Sequence, residues 1–425
     1  MKDALSPVAA LLLSVAILMT GSGLQGTLLP VRASLEDFST IAIGIIGAAY
    51  FLGFTLGCLK GGELVKSVGH VRVFLAMTAL ASASPLIHGL ILDPIAWSVL
   101  RFLTGFCFAV LFVVIESWLN ERSSNKDRGL VFSTYVMITL TVLAGGQMMT
   151  LLYEPQGLEL FVIASVLVSL GALPVALSKS LSPEQPQDVD VNLRRLLAIS
   201  PAGVVACLAT GIANGAFWSL APVFTSGLSV DSSLAAWFMS STVGGGAAAQ
   251  WPLGYISDKL GRRKTMLAAS AIGALIALFT VATYGELSFI GINLLGAAWG
   301  FFAFPMYAIA VAHANDNASP EDYVMVSSGL LLLYGVGAVI GPFLASAVMT
   351  MSSSAGLYLL IGIVQLALAA YMLQRMIRRS STPVERHITF SDALTTAHTA
   401  SQVYEEEFLY HVAEHADDEV PDAET

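Results

Sequence analysis

The sequence predicts an all-α membrane protein of twelve transmembrane helices, arranged as two pseudo-symmetric six-helix bundles. Three observations carry that expectation. The 425-residue chain is 56% hydrophobic and only 12% charged, more apolar surface than a water-soluble fold can hide. Its apolar stretches fall into twelve runs of roughly 20 residues, the length a helix needs to cross the hydrocarbon core. A loop pattern also recurs: Gly62 to Arg72 reads GELVKSVGHVR, and 192 residues later Gly254 to Lys264 reads GYISDKLGRRK.

Helices are expected because every backbone amide in lipid must be satisfied within its own segment, and barrel strands would be shorter and alternating. The first run, 6–30, is too long and continuous for the core of a signal peptide, and no A-x-A-like site follows it. It is read as a retained first span. The runs 41–61 and 71–92 flank the first loop pattern, and 95–119 carries two ionisable residues, Arg101 and Glu116. The runs 129–152 and 158–178 complete a first half, 1–178. A polar stretch with Pro183 and Pro186 then reads as a linker, 179–199. The second half, 200–376, repeats the scheme with 201–224, 233–255, 265–284, 287–312, 324–349 and 355–376. Gly244 to Gly246 in the eighth run read as close helix contact, because no strand precedes them for a phosphate-binding loop. An acidic tail, 377–425, closes the chain.

The repeat extends beyond the loops. Ser6-Pro7 opens the first span and Ser200-Pro201 the seventh, and Gly21 and Gly215 keep the same offset. Gly146-Gln147 in the fifth span aligns with Gly341-Pro342 in the eleventh. Two halves of this kind form the parallel repeat that places a solute site near the midplane of many transporters.

Charge sets the orientation. The formal net charge of -10 misleads, because ten acidic residues and no Lys or Arg lie between His387 and Thr425. The remaining body is balanced. With both termini inside, eighteen of the twenty Lys and Arg residues fall on one side, Arg32 falls on the other, and Arg101 lies within a span. The positive-inside rule therefore predicts cytoplasmic termini. Cys58, Cys107 and Cys207 all lie in apolar runs and read as small core residues. His411 to His415 matches a short H-x-x-E-H pattern, but its tail has no core for a protease domain, so no metal site and no cofactor are expected.

Ionisable groups inside spans are costly and usually functional. Arg101 and Glu116 are 15 residues apart, about 22 Å along a helix, so they cannot pair directly. They share a face with Gly105 and Phe112. Arg101 is read as a ligand for a substrate anion or a gate, against a structural arginine bonded to carbonyls of the first span. Glu116 is read first as part of a cytoplasmic gate or a salt bridge at the helix end, with proton coupling as the alternative. Polar and aromatic residues in the spans are the candidate cavity lining: Gln25, Tyr50, Tyr135, Asn214, Trp218, Asn293, Trp299, Tyr307 and Tyr334. Each taken alone is as readily explained as helix-packing glue or an interface aromatic.

The paired loops after the second span of each half resemble the signature of the major facilitator superfamily of secondary transporters. The Arg101-x-x-x-Gly105 start and the Glu116-Ser117 end of the fourth span narrow that resemblance. So do a first loop with Lys66 where the second has Asp258, and AHAND at Ala312 to Asp316, and the chain looks like the YcaD-like branch. The resemblance covers nearly all of the membrane body and implies the major facilitator fold and inner-membrane transport, with no substrate fixed. It also implies gate contacts: Asp258 and Arg262 in the second loop, with Asp258 against the start of the fifth span (Lys126, Arg128) and Lys66 against Glu321 and Asp322 at the start of the eleventh. Drug–proton antiporters carry Gly-Pro in the fifth span, where this chain has AGGQ at Ala144 to Gln147, which counts against drug efflux.

The leading expectation is thus a monomeric secondary transporter for a small solute, driven by a proton or another ion, with no nucleic-acid partner. A receptor of the same fold and a drug-efflux antiporter are the alternatives. An enzyme would need a clustered catalytic set within the spans, and none is found.

Overall fold

The structure, a computed structural model, describes residues 5, 8–123, 128–177, 192–228 and 233–378. The first half contains α1 (Ala9–Leu35), α2 (Thr40–Val68), α3 (His70–Leu90), α4 (Pro94–Arg122), α5 (Arg128–Met148) and α6 (Glu159–Leu170). The second contains α7 (Pro201–Ser226), α8 (Ser233–Leu260), α9 (Arg262–Ala282), α10 (Phe289–Ala303), α11 (Tyr323–Met351) and α12 (Gly356–Arg378). A short helix, Leu173–Ala176, continues α6, and another, Met306–Asn315, continues α10. The break in α10 falls at Phe304 and Pro305, where the proline has no N–H for a helical bond. Leu193–Ile199 forms a separate helix ahead of α7. The tail with its H-x-x-E-H pattern, Ser6-Pro7 and Lys126 lie outside the described residues.

Local chemistry explains where the helices start. Ser39, Asp93, Ser200 and Ser288 each accept a hydrogen bond from a backbone N–H three residues on, capping α2, α4, α7 and α10. Pro94 and Pro201 occupy first helical positions, where a missing N–H costs nothing. Helix α1 runs five residues beyond the expected end, through Pro30. That extension puts Arg32 within the helix, paired with Glu36 at 2.8 Å and bonded to the Pro155 carbonyl at 3.0 Å.

Eleven of these spans are long and apolar enough to cross a membrane, counting α6 and α10 with their continuations. The twelfth expected span is α8. It has the length, at 28 residues, but four glycines, Gln250, Asp258 and Lys259 dilute its hydropathy. Large apolar side chains stand fully outward around the bundle, Ile95, Leu275 and Ile290 among them, as lipid-facing surface requires.

Even helix number places both helical ends of the chain on one side, here termed the terminal side. The loops at Gly69 and Gly261 lie there too. These two glycines are the second glycines of the repeated pattern, and their φ values are +93° and +92°. Each lets the chain reverse between two helices with a one-residue break, in a conformation that side chains rarely adopt. The aligned pair Gly146 and Gly341 also plays one role twice. A Cβ at Gly146 would strike the Thr20 carbonyl of α1, and one at Gly341 the Ile212 carbonyl of α7.

The apolar core is divided unequally. On the far side, one cluster joins both halves: Leu24, Leu28 and Ile46 pack in the same body as Phe217, Phe224 and Met349. On the terminal side there are two separate clusters. One holds Leu18, Phe108 and Phe132 of the first half, and the other holds Cys207, Ile309 and Leu330 of the second. The halves are therefore closed together on the far side and parted on the terminal side. Small residues make the closed contact. A Cβ at Gly47 would strike the Ser219 side chain, one at Gly44 that of Ser346, and Ser240 donates to the Ala144 carbonyl at 3.0 Å.

Candidate functional site

Between the two terminal-side cores lies a cavity of two adjoining lobes, about 480 Å³ and about 310 Å³, sharing walls at Phe54, Phe112, Thr139, Trp218, Leu331 and Tyr334. Each lobe falls in the size range of small-molecule sites. Helix α4 supplies the ionisable residue of each. Among the described residues, Arg101 is the single Lys or Arg on the walls and Glu116 the single Asp or Glu.

Arg101 reaches the larger lobe because α2 and α4 are in backbone contact. A Cβ at Gly53 would strike the Phe102 carbonyl, and one at Gly105 the Tyr50 carbonyl. That approach sets the Arg101 guanidinium over the Tyr50 ring, 4.1 Å from its centroid. Such a stack contributes about 0.5–2 kcal/mol. No ion pair or hydrogen bond to another described residue occupies the N–H donors of Arg101, and the residue lines the larger lobe. The anticipated bonds from Arg101 to α1 carbonyls are absent among the described residues.

Glu116 is buried in the smaller lobe and accepts a hydrogen bond from the Tyr135 hydroxyl at 3.2 Å. Around it are polar atoms with no hydrogen-bond partner: the Tyr307 hydroxyl, Asn214 Oδ1, Gln250 Oε1 and Thr139 Oγ1. Asn214 donates weakly to the Tyr334 hydroxyl at 3.4 Å. Aromatic rings complete the wall, with Trp218 stacked on Phe304 at 5.4 Å and Tyr307 against Tyr334 at 5.0 Å.

Of the anticipated cavity residues, Tyr50, Arg101, Tyr135, Asn214, Trp218, Tyr307 and Tyr334 line these lobes. Three lie elsewhere. Trp299 is fully buried in the second half and donates to Gln365 at 3.1 Å, so its ring is core. Asn293 bonds the Phe289 carbonyl and receives Ser241, joining α10 to α8. Gln25 is 2% exposed within α1 and reaches neither lobe. Sequence reasoning missed Gln250 and Thr139. Gln250 had a usable signal, being a lone amide amid the apolar residues of α8.

The anticipated gate residues sit at the terminal-side ends. Arg262 starts α9, where a positive charge opposes the helix dipole. It is offset by Asp258 at 2.5 Å, Asp316 at 3.3 Å and a hydrogen bond to Ser257 at 2.6 Å. The Arg262 and Asp316 side chains are both buried, so each needs the compensation that the cluster supplies. Ser257, Asp258, Arg262 and Asp316 all belong to the second half. In the first half, His70 holds the place of Arg262, near Ser117 Oγ at 3.3 Å and against Trp118. The anticipated pairing of Lys66 with Glu321 and Asp322 is not made in this conformation. Asp322 instead accepts from Arg195 of the preceding short helix and from Ser319, both at 2.9 Å. The halves are parted on this side, which removes the proximity that the pairing needs. Lys126 lies outside the described residues, so the expected partner set of Asp258 at α5 is not fully seen.

A two-half helical body around a central cavity with one buried cation and one buried carboxylate fits a membrane transporter class, and the sequence comparisons agree. The Major Facilitator Superfamily profile matches residues 11–204 and again 202–404, and the chain belongs to that superfamily. Among curated relatives, it is 28% identical over 383 residues to the uncharacterized MFS-type transporter YcaD of Escherichia fergusonii, covering 89% of this chain and 98% of that one. It is 26% identical over 381 residues to YcaD of Escherichia coli O17:K52:H18, covering 89% and 97%. Solved structures of the same fold include the nucleoside transporter NupG, with TM-score 0.75 and 12% identity over 87% of this chain and 99% of that one. FucP in its outward conformation matches with TM-score 0.57 and 14% identity over 87% and 98%. The protein is thus a multi-pass membrane transporter by family.

Proposed function

We propose that this protein is a secondary active transporter that carries a small solute across the inner membrane by alternating access, coupled to a proton or another ion. The observation that carries the reading is the unequal core: one apolar body shared by the halves on the far side, two separate bodies on the terminal side, and the cavity between. Rocking the halves would exchange the closed and parted sides around one fixed site. The segments 1–178 and 200–376 act as the moving units, joined by 179–199, with 377–425 as a cytoplasmic appendage. The Lys and Arg asymmetry supports a cytoplasmic terminal side, which makes this conformation inward-facing. One chain encloses the cavity, which supports a monomer as the working unit. Arg101, Tyr50, Trp218, Asn214, Tyr307 and Tyr334 contact the solute, Glu116 with Tyr135 carries the coupled proton, and the ends at Lys66, Asp258, Arg262, Glu321 and Asp322 close the terminal side in the opposite state.

Solute counterflow in proteoliposomes tests this. Preloaded vesicles are expected to take up labelled solute against its gradient, without added energy. Saturable binding with no flux for any bound solute would instead mark a receptor.

A further inference from the structure

The charge layout of the cavity says what kind of solute fits. The larger lobe presents one cation, Arg101, and its remaining wall is largely aromatic and aliphatic: Phe51, Phe54, Phe112, Leu143 and Trp218. No carboxylate of the described residues pairs with Arg101, whose guanidinium carbon lies 4.1 Å from the centroid of the Tyr50 ring. What stays available is the planar fork of N–H donors, which matches a carboxylate in a bidentate geometry. A guanidinium in a span without an anion is costly, so an incoming anion gains more there than it would in water. A second negative charge on the solute would find no second cation, and Glu116 in the adjoining lobe would oppose it. The smaller lobe offers what a polar substituent needs. Tyr307, Asn214, Gln250 and Thr139 all present buried polar atoms without partners, and such atoms are rare unless a ligand or water meets them.

We propose that the cavity takes a ring-sized organic monocarboxylate, its carboxylate on the Arg101 guanidinium, its body against the aromatic wall, and any hydrogen-bonding substituent toward Asn214, Gln250 and Tyr307. This rests on the transport reading for its purpose but not for its test. A neutral solute such as a free sugar would leave Arg101 uncompensated, and a dicarboxylate would leave one charge exposed to Glu116.

The experiment compares acids with isosteric primary amides on the purified, full-length protein. Benzoate, 4-hydroxybenzoate and nicotinate are titrated against benzamide, 4-hydroxybenzamide and nicotinamide, with thermal stabilisation and quenching of tryptophan fluorescence as readouts. At least one acid is expected to bind about 10- to 100-fold more tightly than its amide. That advantage should vanish in Arg101→Gln and shrink in Arg101→Lys, which keeps the charge but loses the fork. Amides that bind as well as acids, acid binding unaltered in Arg101→Gln, or no binding by any of the three acids would each overturn the proposal. The acid–amide comparison on the unaltered protein stands even if Arg101→Gln does not fold. Uptake of the bound acid into proteoliposomes separates the two readings. Binding without uptake contradicts transport and leaves the anion site standing, whereas counterflow of a neutral solute with no acid binding does the reverse.

Discussion

Glu116→Gln is expected to abolish gradient-driven accumulation while leaving solute exchange within about twofold of the unaltered protein. The argument begins with cost. A carboxylate inside a membrane span is costly unless it is paired or used, so a buried Glu there is retained for a use. Glu116 lines the smaller lobe and is held by the Tyr135 hydroxyl at 3.2 Å. It lies on the same helix as Arg101, so rocking of the first half carries both together. Glutamine has nearly the same shape, and its amide oxygen still accepts from Tyr135, but it cannot carry a proton between the two sides. Accumulation is measured under an imposed pH gradient, and exchange with preloaded vesicles at equal pH. Full accumulation in the mutant would end the assignment of Glu116 as proton carrier. Loss of both activities would assign it to the gate or to structure.

Gly53→Leu is expected to remove most of the folded, monodisperse protein. The α2–α4 pair is in backbone contact, and a side chain at Gly53 meets the Phe102 carbonyl, which has no rotamer with which to yield. Overpacking of this kind costs about 1–3 kcal/mol or more, because the backbones must separate. In lipid, where close approach of small residues is a main source of helix association, that separation is seldom recovered elsewhere. It would also displace Arg101, which is next to Phe102, from Tyr50. Gly145→Leu is the control: a Cβ there meets nothing within 4 Å, and the variant should behave as the parent in size-exclusion chromatography. Equal behaviour of the two variants would show that the α2–α4 approach is not needed.

These expectations rest on features of unequal legibility. The all-helical membrane fold and its two-half repeat were readable because lipid admits few backbone solutions and because a repeated loop carries its own alignment. Gly69 and Gly261 show why that loop repeats: both need a positive φ, which only glycine supplies cheaply. Helix α8 is the least apolar span because it faces the other half and the cavity, through Ser240 and Gln250, as well as lipid. Arg101 and Glu116 stood out as charges inside a span, and their common helix gave their shared face. The identity of the neighbours did not follow. Helical period tells which residues share a face but not what that face meets, so Trp299 and Asn293 were placed in the cavity when they serve packing within the second half. The pairing of Lys66 with Asp322 assumed one conformation, and a single sequence does not say which of two conformations is populated. With the terminal side parted, Arg195 takes Asp322.

The central claim is that the halves rock as bodies about the cavity. It is tested most directly by pulsed electron paramagnetic resonance distances across both sides, in a background lacking Cys58, Cys107 and Cys207. One spin-label pair spans the far side at Glu154 and Ser353, and the other spans the terminal side at Ser67 and Glu321, all exposed positions. Gly47→Leu supplies the perturbation, since its side chain would meet Ser219 where the far side is closed. The account predicts that the far-side distance lengthens and the terminal-side distance shortens together. Lengthening on the far side with no change on the terminal side, or no change on either, would contradict it.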